Sequence, residues 1–164
     1  MIKKVVSITA WVAVAVGIIA YLHAIGVIQV RFSFEKRSIP IASSTKWADT
    51  ILIRTNQERV KLGCPALIVN PELEKAAYER AEYLATFESI AEKGHEGWDR
   101  TVRKYFKYRE AGENLAQGFP SESTMFDALM NSTTHRDNIV DCDYTVIGIG
   151  RAGDIVVQEF ARPL

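Results

Sequence analysis

Residues 144–160 read YTVIGIGRAGDIVVQEF, and this stretch decides the fold class. Tyr144, Val146, Ile147 and Ile149, together with Gly148 and Gly150, predict one strand, and Ile155 to Phe160 predict a second. Between them, Arg151-Ala152-Gly153-Asp154 has hairpin chemistry, because Gly153 can adopt the positive φ of a tight turn. An antiparallel hairpin closing a chain whose earlier segments are helical defines an α+β domain, not a doubly wound parallel sheet.

Working back from the hairpin, Ser123–Asn131 predicts a helix with Phe126 and Leu129 inward, and Gly112–Pro120 reads as a turn-rich stretch. Thr101–Tyr108 predicts a short amphipathic helix through Val102, Tyr105 and Phe106, after a charged, Gly-containing loop over Glu92–Asp99. The most sharply marked helix starts at Asn70. Asn70 is an N-cap residue, Pro71 fits the first helical position, and Glu72 and Glu74 complement the positive end of the helix dipole. Leu73, Ala76, Ala77, Arg80, Ala81, Leu84 and Phe87 form its stripe, in which Arg80 reads as a side chain snorkelling at the border. An earlier helical pattern begins at Thr45, with Ala48, Ile51, Leu52, Thr55, Arg59 and Leu62 on one face. That face carries polar groups in its middle, and Gly63-Cys64-Pro65 ends it.

The N-terminal third has a different character. The whole chain of 164 residues balances 20 Lys+Arg against 20 Asp+Glu, so its net charge gives no support for nucleic-acid binding. Residues 1–30 hold only Lys3 and Lys4 as charged side chains, which leaves residues 31–164 with 18 basic and 20 acidic groups. Val5 to Leu22 is an uncharged run of eighteen residues; as a helix it spans roughly 27 Å, close to the ~30 Å of a bilayer core. The run reads as an uncleaved membrane anchor, the alternatives being a cleaved secretory signal or a buried core helix. Its length exceeds the usual apolar region of a signal, and Leu22-His23-Ala24 is a poor cleavage site. The expected organisation is an anchor segment at 1–30, a linker at 31–44 and a domain at 45–164. Basic residues flank the run on both sides, so charge does not orient it. Cysteine usage does: Cys64 and Cys142 are an even pair behind an export-like segment, read as one disulfide outside the membrane. Two unrelated buried thiols are the alternative.

Three dispersed residues carry candidate chemistry: His95, Glu113 and His135. Two histidines and a carboxylate can hold a divalent cation such as zinc with positions left open. Their spacing matches no contiguous metal motif, and the plainer alternative is two hydrogen-bonded or surface histidines beside a structural glutamate. Ser132, three residues before His135, completes a nucleophile–base–carboxylate set with Glu113 by residue type, though it lies on no nucleophile-elbow sequence. No Gly-rich loop followed by Lys supports a phosphate site. Arg103, Lys104, Lys107 and Arg109 interleave with Tyr105, Phe106 and Tyr108, read as a solvated helix face.

At these residues the sequence resembles the CAP superfamily of cysteine-rich secretory, antigen 5 and pathogenesis-related proteins (the SCP domain), in its bacterial form. The resemblance rests on Asn56-Gln57-Glu58-Arg59, Cys64-Pro65-Ala66-Leu67 with Asn70-Pro71-Glu72-Leu73, Gly112-Glu113-Asn114-Leu115-Ala116, Ser132 with His135-Arg136-Asp137-Asn138-Ile139, and Val157-Gln158-Glu159-Phe160-Ala161. It implies an α-β-α sandwich around a central antiparallel sheet, and a Cys64–Cys142 bridge. It also implies a cleft of two histidines and two glutamates that binds a divalent cation in some members. Glu113 and His135 match by motif, His95 is the candidate for the other histidine, and Asn114, Ser132 and Arg136 are cleft neighbours. The second glutamate has no counterpart by motif: Ser132 falls near its place, with Asp127 one turn away. Together with the anchor read at 1–30, the resemblance leads to the expectation of a membrane-anchored binding module outside the cytoplasm. Its cleft is expected to take a divalent cation or a small or lipidic ligand, and its expected partners are the membrane through residues 5–30 and a lipid or envelope component. A metal-assisted or Ser132-dependent hydrolase using the same cleft is the alternative.

Overall fold

The computed structural model describes residues 46–164, all within one compact unit, Ala42–Leu164. The uncharged run at 5–22 and the linker at 31–44 lie outside the described residues. Among the described residues no helix is long and apolar enough to cross a membrane.

The elements follow in the order α1 (Lys46–Lys61), β1 (Ile68–Val69), α2 (Pro71–Leu84), a 3-10 turn (Ile90–Glu92), α3 (Trp98–Tyr105), β2 (Tyr108–Gln117), α4 (Glu122–Asn131), α5 (Thr133–Val140), β3 (Val146–Ala152) and β4 (Ile155–Pro163). The sheet order is β1-β3-β4-β2. The expected hairpin is β3–β4, antiparallel, with Ala152 paired to Ile155 across the turn, where Gly153 has φ 61°. The sheet is antiparallel except at its margin, where the two-residue β1 runs parallel to β3.

One stretch differs from the sequence reading. Gly112–Pro120 was expected to be turn-rich, but residues up to Gln117 form most of the ten-residue strand β2, paired antiparallel along β4 from Tyr108 to Gln117. Gly112 serves packing and not turning there: a Cβ at this position would come within 2.6 Å of the Asn138 side chain and 2.8 Å of the Tyr144 hydroxyl. The helix expected at Thr101–Tyr108 starts earlier, at Trp98, after Gly97 with φ 73°, and Tyr108 already belongs to β2. Ser132 caps the end of α4 and the start of α5, so the polar run after Asn131 opens a new helix.

Helices cover both faces of the sheet, as a three-layer sandwich requires. On one face α1, α4 and α5 contribute Ile51, Phe126, Leu129 and Ile139 to a core with Ile147, Ile149 and Phe160. On the other, Ala77, Ala81 and Leu84 of α2 pack on Leu115, Ile155 and Val157, and Leu73 and Ala76 join Val102 and Phe106. The second face is unusually close. A Cβ on Gly148 would lie 2.3 Å from the Leu73 backbone, and one on Gly150 would lie 2.2 Å from that of Ala77. The two glycines therefore let α2 rest directly on β3, and no rotamer change can relieve a collision with backbone. Gly150→Ala is expected to destabilise the domain by about 2 kcal/mol, the scale of an overpacked core, measured as a lowered urea midpoint with an unchanged slope.

Cys64 and Cys142 are joined by a disulfide closing 78 residues. The polar group expected in the buried face of α1 is Arg59, fully buried, whose guanidinium holds the same region. Its Nε donates to the carbonyl of Pro65 at 3.0 Å, Nη1 to those of Ile139 at 3.0 Å and Asp141 at 2.6 Å, and Nη2 to that of Tyr144 at 2.7 Å.

Candidate functional site

The site is built from two neighbouring residues of β2. Successive side chains of a strand point to opposite faces, so Glu113 enters the α2 layer and Asn114 the α5 layer. Each takes hold of a segment carrying one histidine.

Glu113 is buried, its side chain 0% exposed. Its Oε2 accepts from Arg80 Nε at 2.8 Å, while Oε1 lies 2.8 Å from His95 Nδ1 and 3.5 Å from Arg80 Nη2. A carboxylate paired with a guanidinium only accepts, so the proton of this bond sits on His95 Nδ1. Arg80 was expected to snorkel at the border of its helical stripe. Instead its side chain is 2% exposed, because inside the core it has a carboxylate and two carbonyls as partners. Those carbonyls are Gly94 O, at 2.6 Å from Nη2, and Glu96 O, at 3.1 Å from Nη1, on either side of His95.

On the other face Asn114 Nδ2 donates to the backbone carbonyl of His135 at 3.0 Å and to Gln158 Oε1 at 3.1 Å. Asn138 Nδ2 bonds Asn114 Oδ1 at 3.0 Å and the carbonyl of Glu113 at 3.2 Å, fastening α5 to the strand. His135 Nδ1 lies 2.8 Å from Ser132 Oγ. His95, Trp98, Gly112, Glu113, Thr134, His135 and Asn138 line one cleft of about 300 Å³ along the edge of the sheet formed by β2. Burial, and then the proximity of His95, lower the His135 pKa from its usual 6.5, so this imidazole is neutral at pH 7.

His95, Glu113 and His135 thus line one cleft, with Asn114 and Ser132 behind it. Arg136 is exposed and not among the lining residues. Asp127, one turn from the expected place of a second acid, instead pairs with Arg54 at 2.7 Å. A second glutamate does meet Glu113, from an unexpected direction: Glu159 of β4 is its direct register partner. Glu159 is fully buried, and Glu113 is the group its carboxyl can share a proton with across the register pair. Burial, reinforced by the charge of Glu113 and opposed by Arg80, holds its pKa well above 4.5. The signal for Glu159 was the Gln158-Glu159 pair inside an apolar strand, as it was for Arg80 inside an apolar stripe. The basic run at Arg103–Arg109 is an exposed face, partly neutralised by Asp99–Arg103 and Glu79–Lys104 pairs.

Among the described residues no group of three or more His, Cys, Asp or Glu side chains is arranged to hold a metal ion. The donor chemistry explains this. Both oxygens of Glu113 are engaged by Arg80 and His95, which leaves the cleft two imidazoles, each tied at Nδ1 and each with Nε2 remaining.

A mixed sandwich of helices on both faces of a four-stranded sheet defines a class of domain, and comparison with known proteins gives its family. The model of CAP, the cysteine-rich secretory protein family, matches residues 52–159, and the chain belongs to that family. It is 29% identical over 124 residues to Uncharacterized protein YkwD of Bacillus subtilis (strain 168), covering 73% of this chain and 48% of that one. It is 27% identical over 115 residues to Uncharacterized membrane protein YlbC of the same strain, covering 68% and 33%. The chain therefore spans about half or less of the length of these curated relatives. Among solved structures, an outer surface protein from Borrelia burgdorferi superposes with a TM-score of 0.65 at 24% identity, over 71% of this chain and 92% of that one. An extracellular protein containing a SCP domain from Bacillus anthracis str. Ames gives a TM-score of 0.63 at 20% identity, over 70% and 39%. These structures share the fold.

Proposed function

We propose that this protein is a membrane-anchored binding module outside the cytoplasm whose ligand site is the His95–His135 cleft, and that the cleft takes a zinc-like divalent cation. One observation carries the reading: two imidazoles from opposite layers line one cleft, and each has its Nδ1 engaged by a neighbour. Histidines that ligate metals are typically held in this way, by a hydrogen bond from the other ring nitrogen to a carboxylate or another acceptor. Nε2 of His95 and of His135 would hold the ion, and the remaining positions would stay open to a small ligand. Bound there, the ion would act as a Lewis acid toward that ligand. The disulfide and the uncharged run at 5–22 support placement outside the membrane, and a relative is named a membrane protein.

The Ser132–His135 hydrogen bond is the observation that favours a covalent hydrolase. That chemistry also needs a carboxylate to orient the histidine, and Glu113 bonds His95 instead. The geometry therefore supports binding better than acyl transfer.

The test is zinc titration by calorimetry on the full chain in detergent micelles. Binding is expected in the micromolar range, abolished in His135→Ala, and weaker as pH falls below 6.5 into the lowered range where His135 takes up a proton. Glu113→Gln is expected to weaken zinc binding about 10- to 100-fold, the usual cost of losing a partner that orients a ligating histidine. No heat with zinc at tens of micromolar would refute the reading.

A further inference from the structure

We infer that Arg80 is the positioning residue of the cleft, holding His95 in place through its own guanidinium and through Glu113 together. This deepens the binding reading above and rests on it for the role of His95.

His95 lies on a segment with little structure of its own. Between the 3-10 turn ending at Glu92 and α3 starting at Trp98 there is only turn backbone, and the His95 side chain is 52% exposed. Apolar packing therefore does not set the ring. Arg80 does so by three routes that converge on one residue. Nη2 holds the carbonyl of Gly94, immediately before His95, and Nη1 holds that of Glu96, immediately after it. Nε holds Glu113 Oε2, which leaves Oε1 aimed at His95 Nδ1. The first two bonds place the backbone of His95, and the third places the acceptor that orients its ring.

Arginine suits this task and lysine does not. The planar guanidinium reaches a carboxylate along one edge and two carbonyls along another at fixed angles, while an ammonium on a flexible stem acts as a point charge. Arg80 itself is rigidly supported, because α2 rests on β3 at Gly148 and Gly150 with backbone in contact. The arrangement also occupies both Glu113 oxygens, so that the donors left to a ligand are nitrogens. Such a set favours zinc-like ions over the oxygen-seeking calcium.

The experiment compares Arg80→Lys with the parent full chain in micelles, using two readouts. Long-range nitrogen–proton spectra of the imidazoles report the His95 tautomer and its bond to Glu113; zinc calorimetry reports affinity. In the parent, His95 should show a proton held on Nδ1. In Arg80→Lys that signature should be lost or averaged, the His135 ring signals should persist, and zinc affinity should fall about 10- to 100-fold, as for other groups that orient a ligand. An unchanged His95 signature in Arg80→Lys overturns the inference, whether or not zinc binds. A parent that binds no zinc refutes the cation reading alone, because the ring spectra still decide the role of Arg80. Should Arg80→Lys fail to fold, Glu113→Gln carries the test. Retained order at Gly94 and Glu96 then supports Arg80, and loss of order there overturns it, since Glu113 alone would have held the segment.

Discussion

Arg59→Met should destabilise the domain by about 4 kcal/mol, in the range found when a buried charged group loses its network. The variant keeps most of the apolar stem but strips the hydrogen-bond donor from four carbonyls, those of Pro65, Ile139, Asp141 and Tyr144. Each unsatisfied buried carbonyl costs about 1–3 kcal/mol, less where water enters. The carbonyls come from both sides of the Cys64–Cys142 bridge, so arginine and disulfide hold the same junction by different means. Two constraints on one junction are not additive: Arg59→Met should cost more in protein with both cysteines replaced by alanine than in the disulfide-bonded form. Urea denaturation of the four proteins gives the coupling, and a cost below about 1 kcal/mol for Arg59→Met, less than a single unsatisfied carbonyl, would show that the carbonyls find other partners.

Glu159→Leu should act in the opposite direction, stabilising the domain at alkaline pH by about 1–3 kcal/mol, the cost of burying an imperfectly compensated polar group. Glu159 is fully buried beside Glu113, and its pKa is raised above 4.5 by burial, then by the Glu113 charge, with a hydrogen bond to Glu113 adding to both. The folded state thus binds more protons than the unfolded state between pH about 4.5 and the raised pKa of the folded state. The contribution of Glu159 is accordingly fully present below about pH 4.5 and is lost as pH rises through the folded pKa. Glu159→Leu should remove this decline, so parent and variant should differ most at alkaline pH and converge toward pH 4. Stability of the two across pH 4–9 checks this, and parallel curves would show that Glu159 is not the group responsible.

The parts of the fold legible in the sequence were those with local causes. Asn70-Pro71 announced α2, and the Asn70 side chain does accept from the amides of Glu72 and Leu73. Gly153 announced the hairpin. β2 was not legible because its pairing partner, β4, is remote in sequence; Gly112 within it and Gly118 just beyond it imitate a loop until the partner is known. The cleft residues His95, Glu113 and His135 were found by type and by resemblance. In the sequence Arg80 reads as snorkelling and Glu159 is not singled out, because a helical stripe and an apolar strand both average over one charged member. What made each meaningful was its opposite number across the layer interface, and local periodicity carries no information about that. Asp127 was a reasonable neighbour in sequence, but Arg54 and Phe126 hold that corner of the domain, with the Arg54 guanidinium 4.6 Å from the ring centre.

The position of β2 at the margin of the sheet has a consequence for solubility. A marginal strand of ten residues is a template for recruiting strands from other molecules unless something shields it. Here the shield is the cleft itself: Asn138 occupies the carbonyl of Glu113, the side chain of Gln117 receives the amide of Ile90, and the His95 and His135 segments stand on either side. Damage to the cleft walls would therefore uncover backbone able to seed intermolecular sheet. Any ligand bridging the two histidines would also act as a guard against aggregation.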